Sequence, residues 1–182
     1  DPYLPALELQ ISKGSIRGEE DLGLLSIPME SIVGTRNTAR RDCFSPSFLP
    51  LLDTGSEFAE KWANLAKAHV EEGIREPIKA VEYMNRYYVI EGHKRVSVLR
   101  YFGSPTVTGT VVRLLPVESD TSEYRLYQEY LAFYRHTKIN YLEFSRPGKY
   151  EELLKLLENH DKSPWDFERR REFFADCTRF RR

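Results

Sequence analysis

The spacing of apolar and polar positions changes along the chain, and each change predicts an element. Residues 87–90 are an apolar run rich in aromatic and β-branched side chains, which predicts a buried strand. Beyond Gly92, Val96, Leu99 and Phe102 recur at helical spacing and Gly103 is a helix stop. Residues 77–83 alternate in part and, through a tight Asn85-Arg86 turn, complete a hairpin with 87–90. Upstream, Ser56 is a good N-cap for a helix with Phe58, Trp62, Leu65 and His69 on one face and Ala59, Ala63, Ala66 and Val70 beside them. Glu57, Glu60, Lys61, Asn64, Lys67 and Glu71 take the other face, and Gly73 ends the helix after about four turns. On this stripe Trp62 reads as core and His69 as a core-edge histidine with a satisfied ring nitrogen.

Residues 22–27 and 106–115 read as further strands, and Pro28 opens a single helical turn through Ile32. Residues 3–11 fit either a short helix or an extended arm, with a polar loop over 13–20. The stretch 44–52 is apolar but interrupted by Pro46 and Pro50, so a packed loop is expected. After Pro116 the pattern turns mostly helical. Ser119 or Asp120 can cap a helix carrying Tyr124, Tyr127, Leu131 and Tyr134, and 141–144 is a short extended piece. Tyr150, Leu153, Leu154 and Leu157 mark a helix over 149–160. Ser163-Pro164-Trp165-Asp166 signals the start of a last one, with Phe167, Phe173, Phe174 and Phe180 and arginines that include Arg181 and Arg182. The helical spacing of the aromatic residues in 124–144 points to packing, not to base-stacking platforms. The expected organisation is an arm over 1–21, an α+β domain over 22–117 and a helical extension over 118–182.

Composition narrows the partners. The formal net charge of −1 leaves no global field pulling the molecule onto nucleic acid or membrane, so any such contact needs a local patch. No apolar run approaches a membrane span and no signal peptide is visible. Cys43 and Cys177 form no metal or redox motif, so reduced thiols in a cytoplasmic protein are the expectation. An opening Asp1-Pro2 without Met is what a processed product or an excised domain would show.

The chemistry concentrates in the turn between the 87–90 strand and its helix, Glu91-Gly92-His93-Lys94-Arg95. A helix N-terminus presents unpaired amides and the positive end of a dipole, and a glycine there lets an anion approach the backbone. Lys94 and Arg95 add two charges, and arginine grips phosphate in a bidentate way. The plainer alternative is a solvated helix start with Arg95 paired to Glu91. Glu91 beside a phosphate would repel it unless it holds a cation, pairs with Arg95 or serves as a base. Upstream, TRNTARRD (35–42) carries Arg36, Arg40 and Arg41. It reads either as an exposed basic loop or as a second set of cationic donors facing the Gly92 turn.

Residues 22–116 resemble the ParB/sulfiredoxin superfamily. The likeness lies in PIKAVEY followed by YYVIEGHKRVSVLRYFG: a Pro-Ile hairpin leads into Gly-x-x-Arg and an apolar helix ending in glycine. NTARRD looks like a variant of the Asn/Gln/Arg box that precedes the helix in that superfamily. The resemblance implies a small mixed sheet with packed helices, and a turn that binds nucleotide phosphates, as with ATP in sulfiredoxin, CTP in ParB and ADP in the free serine kinases. Gly92, His93, Lys94 and Arg95 would hold phosphate, with Arg40 and Asn37 contributed by the box. The sequence also departs from the patterns of that superfamily. Sulfiredoxin places its catalytic cysteine between the glycine and histidine of this turn, whereas His93 follows Gly92 directly here. The segments at 149–160 and 164–180 do not make a convincing DNA-binding helix-turn-helix of the ParB kind. Glu91 to Arg95 comes close to the Asp-Gly-His-His-Arg of the free serine kinases.

Three functions follow as expectations. The first is a regulatory domain that binds a nucleoside di- or triphosphate (ATP, ADP or CTP) with Mg²⁺. The second is a phosphotransferase or nucleotide hydrolase with Glu91 as base or metal ligand and Lys94 and Arg95 stabilising the transferred phosphate. The third is a DNA-associated regulator of the ParB type. DNA and a second copy of the chain, as a homodimer, are therefore candidate partners beside the nucleotide. No metal-ligand set of the protein's own is expected, and the carboxylate cluster of a two-metal nuclease is missing.

Overall fold

A computed structural model describes residues 2–51, 53–157 and 163–180. Leu52, residues 158–160, Arg181, Arg182 and the side chain of Phe180, all part of the expectations above, lie outside the described set. The chain divides into two compact units, 1–117 and 118–182.

The first unit is α+β. Among the described residues its strands are β1 (Ile16–Pro28), β2 (Ile32–Thr35), β3 (Ile78–Tyr83), β4 (Arg86–Glu91) and β5 (Thr106–Pro116). They form one mixed sheet in the order β1-β5-β3-β4-β2. β1 runs antiparallel to β5, β5 parallel to β3, β3 antiparallel to β4, and β4 parallel to β2. The β3–β4 hairpin turns at Met84-Asn85, one residue earlier than the spacing predicts, with φ of 53° and 60° at the two corner residues. That conformation suits a two-residue hairpin loop, because it follows the right-handed twist of the strands. β1 begins six residues before the predicted strand and takes in most of the expected polar loop. Its polar residues alternate outward while the backbone pairs with β5, with register shifts at Gly18 and Gly23.

The helices of this unit are α1 (Glu57–Glu72) and α2 (His93–Tyr101). One core cluster joins Ile27, Ile32, Ile78, Ala80, Val89, Val111 and the Val96 and Leu99 face of α2, together with Leu4, Phe44 and Phe48. The opposite face carries a smaller cluster of Leu7, Val81, Tyr88 and Leu114. The N-terminal arm is therefore structural. Ala6 forms a parallel bridge with Thr35, Thr35 N donates to Pro5 O, and a Cβ at Gly34 would run into the Pro5 carbonyl oxygen. Arg100 ties the last turn of α2 back to the sheet, donating to the carbonyls of Met29 (2.6 Å) and Ile32 (2.8 Å). The stretch 44–51 is a packed loop with Phe44 and Phe48 fully buried. The 35–42 segment, predicted as a loop, forms a 3₁₀ turn over Thr38–Cys43.

α1 is capped by Ser56 as predicted, but none of its residues is fully buried. Phe58, Trp62, Leu65 and His69 are half-buried, whereas Val70 is 68% exposed, so the buried stripe is narrower than the sequence suggests. His69 Nδ1 accepts from Ile74 N, which satisfies the ring nitrogen.

The second unit consists of α3 (Ser122–Thr137), α4 (Lys149–Leu157) and α5 (Phe167–Phe180). Thr121, not Ser119 or Asp120, caps α3 by accepting from Tyr124 N. Asp166, not Ser163, supplies the cap at the start of α5, accepting from Arg169 N at 2.9 Å. The stretch 141–144, expected to be extended, is not part of a strand. Tyr150 is buried against Tyr130, Phe133 and Phe144, with ring centroids 5.8, 5.3 and 4.7 Å away, so these aromatic residues act as packing. Among the described residues, no helix is long and apolar enough to cross a membrane.

Candidate functional site

The site is built at the junction of β4 and α2. Gly92 is the residue before the helix, with φ +100° and ψ 21°, and no side chain caps the helix start. Its carbonyl accepts from Val96 N at 3.0 Å, which closes the first turn. Among the described residues, the amides of His93, Lys94 and Arg95 donate to no protein acceptor. Three N–H groups at the positive end of the α2 dipole are thus available to an anion. Only glycine fits this corner. A Cβ at position 92 would lie 2.7 Å from Ile78 Cγ2 and 3.3 Å from Arg95 Cζ.

The predicted residues separate into two groups with different partners. Arg95 and Glu91 belong to the first. The Arg95 guanidinium is only 12% exposed and donates to the carbonyls of Pro77 and Glu76 (3.2 Å for the latter). Its Nη1 also lies 3.4 Å from a Glu76 carboxylate oxygen, and its Nη2 lies 3.7 Å from Glu91. Arg95 fastens the start of β3 to the helix, and its donors face protein oxygens rather than a ligand. Its Nη1 is committed to the strand start, a role the motif alone does not indicate. Glu91 is exposed and pairs with Lys79 at 2.9 Å; Lys79 first, and Arg95 more weakly, hold its carboxyl below the usual range. A carboxylate so paired is a poor proton acceptor, which weighs against Glu91 as a base.

His93, Lys94 and Arg40 form the second group. His93 is buried, stacks on Phe44 with centroids 6.0 Å apart, and makes a 2.9 Å hydrogen bond from Nε2 to Thr35 Oγ1. Thr35 Oγ1 in turn donates to Val89 O, so His93 Nε2 must be the donor and Nδ1 the bare nitrogen. Burial, and secondarily the Arg40 charge, push its pKa down to about 4, which keeps the ring neutral at pH 7. His93 is therefore a tether from the helix start to the end of β2, and only its amide is offered to a ligand.

This has a consequence for stability. The folded-state pKa lies below the ordinary value of 6.5, so protonation favours the unfolded chain. The contribution is complete above pH 6.5 and is lost as pH falls from there to about 4. The loss is on the order of 3 kcal/mol. Urea unfolding at pH 7 and pH 4.5 should show this component in the native protein. It should be missing in His93→Gln, whose amide nitrogen can keep the bond to Thr35.

Lys94 stretches its ammonium over the Phe58 ring of α1, 4.6 Å from the centroid. Desolvation lowers its pKa, and the nearby positive charges of Lys61 and Arg40 lower it further, against weaker opposition from Glu57 and Cys43. Lys61 already pairs with Glu57. Neither Lys94 nor Arg40 has an ion-pair partner among the described residues. The other two arginines of the 35–42 segment turn elsewhere. Arg36 lies near Glu8, and Arg41 sits 5.5 Å over the Tyr3 ring. Of the segment's three arginines, Arg40 is the one whose charge acts on His93 and Lys94. Asn37 spends its side-chain oxygen on Ala39 N as the cap of the 3₁₀ turn.

The sequence alone gave no sign of Thr35, Phe44 or Phe58 as parts of this site. Thr35 arrives through the parallel β2–β4 pairing, in which it sits opposite Val89. Phe44 and Phe58, read only as apolar packing, meet edge to face with centroids 5.4 Å apart beside His93 and Lys94. Among the described residues, no three His, Cys, Asp or Glu side chains gather to hold a metal ion. No protein-family model matches this chain, and no curated protein matches it.

Proposed function

We propose that the first unit is a phosphate-binding domain of the ParB/sulfiredoxin type that takes a nucleoside di- or triphosphate in a regulatory role. The observation that carries this reading is the pairing of three unclaimed amides with two unpaired cations, Lys94 and Arg40, at the Gly92 corner. Amides without acceptors and clustered like charges each cost stability, and one bound polyphosphate would relieve both. The stretch from the basic turn through α1, the β3–β4 hairpin, the Gly92 corner and α2 to β5 supports this reading, with β1 and β2 both preceding it. Mg²⁺ would arrive bound to the phosphate oxygens. The catalytic alternative is weaker, because Glu91 is already paired to Lys79 and Arg95.

A thermal-shift panel of ATP, ADP, CTP and GTP with Mg²⁺ tests the proposal. At least one nucleotide should raise the melting temperature, and no response to any of the four would remove it. Substitutions then separate the two groups of residues. Lys94→Gln and Arg40→Gln should each weaken nucleotide binding about tenfold or more, the scale of one lost charge-assisted hydrogen bond. Arg95→Gln should leave affinity nearly unchanged and lower stability by about 1–2 kcal/mol, because it abandons protein carbonyls.

A further inference from the structure

The corner at Gly92 is where three separate elements meet. Phe44, next after the Thr38–Cys43 turn, is fully buried and touches both the Phe58 ring of α1 and the His93 ring of α2. Each element carries a cation whose charge bears on this corner: Arg40 in the 3₁₀ turn and Lys61 in α1 both act on the Lys94 ammonium of α2. Lys61 lies one turn beyond Phe58, the residue over which the Lys94 ammonium rests. Like charges on three elements oppose their approach, and only part of this is offset by Glu57.

α1 is only half-buried, although its Phe58 packs against the main core. None of its residues is fully buried. It is held to α2 by a hydrogen bond from Trp62 Nε1 to Ser97 Oγ (2.9 Å) and by ring contacts of Trp62 with Tyr101 and His69 with Phe102. A half-buried helix opens at lower free energy than the buried sheet beneath it.

We infer that a polyanion bound among Arg40, Lys61 and Lys94 acts as a clasp, drawing α1 and the Thr38–Cys43 turn down onto the start of α2. The inference rests on the phosphate-binding reading and adds its consequence: occupancy of the site is transmitted to α1. An anion that needs all three cations binds only the closed arrangement, so it suppresses opening by mass action. At ten times the dissociation constant, exchange through opening should slow by up to about tenfold.

The test is hydrogen exchange by mass spectrometry on the full chain, with inorganic tripolyphosphate as the probe and ionic strength held constant. Binding is measured in parallel by calorimetry. The expected result is slower exchange in α1 and in the Thr38–Cys43 turn on binding, with β3 and β5 unchanged. Binding with no change in α1, or with faster exchange there, overturns the clasp and leaves the phosphate site standing. No binding at millimolar probe overturns both.

Discussion

Gly92→Ala is expected to destabilise the first unit by about 3 kcal/mol and to abolish nucleotide binding. Two costs add. A side chain at φ +100° is strained by about 1–2 kcal/mol, and the new methyl group meets Ile78 Cγ2 at 2.7 Å. Ile78 is fully buried in the main core, so it cannot give way without repacking, which costs about 1–3 kcal/mol more. Relief of either strain must rotate the backbone at the helix start and carry the amides of His93 to Arg95 out of register with a phosphate. Native-state exchange of the β3 and β4 amides in rising urea reads the stability of this unit alone. Unchanged protection together with unchanged affinity would show that the corner does not depend on glycine.

The second large effect lies outside the candidate site. Glu82 and Arg113 are both fully buried and form an ion pair on neighbouring strands. Glu82 also accepts from Asn85 N at 2.6 Å, and Arg113 Nη1 reaches the half-exposed Glu20 at 3.4 Å. Removing one member leaves the other charged, buried and without its main partner. Glu82→Gln or Arg113→Met should each cost about 3–5 kcal/mol. The double replacement Glu82→Leu with Arg113→Met should recover most of that loss, since an apolar pair of similar volume needs no compensation. A double variant as unstable as the sum of the singles would show no coupling between the two side chains and contradict this account of the pair. The same exchange experiment measures all three.

Much of this architecture was readable from local signals. The β3–β4 hairpin, α2 and α1 announced themselves through apolar spacing and through Ser56, Gly73, Gly92 and Gly103. Each of these acts within a few residues of its own position. β1 was harder to see, because residues 16–21 are mostly polar. They are in the sheet because β5 supplies a long partner and leaves their side chains free to face outward. Glu82 and Arg113 carried a signal that went unread. In β3, Ile78, Ala80 and Glu82 share one face, and in β5 Val107, Val111 and Arg113 do, so strict alternation places both charges inward.

The candidate site was legible only in part. Gly92 as the corner, and Lys94 and Arg40 as cations beside it, follow from the motif. The separation of Lys94 from Arg95 does not, although adjacent helix positions point about 100° apart. Which of the two faces open space depends on where Pro77 and Phe58 lie, and those are long-range facts. The motif marks His93 as a phosphate ligand. Its ring is instead claimed by Thr35, which lies 58 residues away in sequence.

The central claim is that the first-turn amides of α2 receive phosphate, and amide chemical shifts during titration with ADP and Mg²⁺ test it most directly. The account predicts that the ¹⁵N–¹H signals of His93, Lys94 and Arg95 move furthest and saturate together, and that inorganic tripolyphosphate reproduces the movement. If ADP binds while those three signals stay in place, or if nothing binds at millimolar concentration, the Gly92 corner is not a phosphate site.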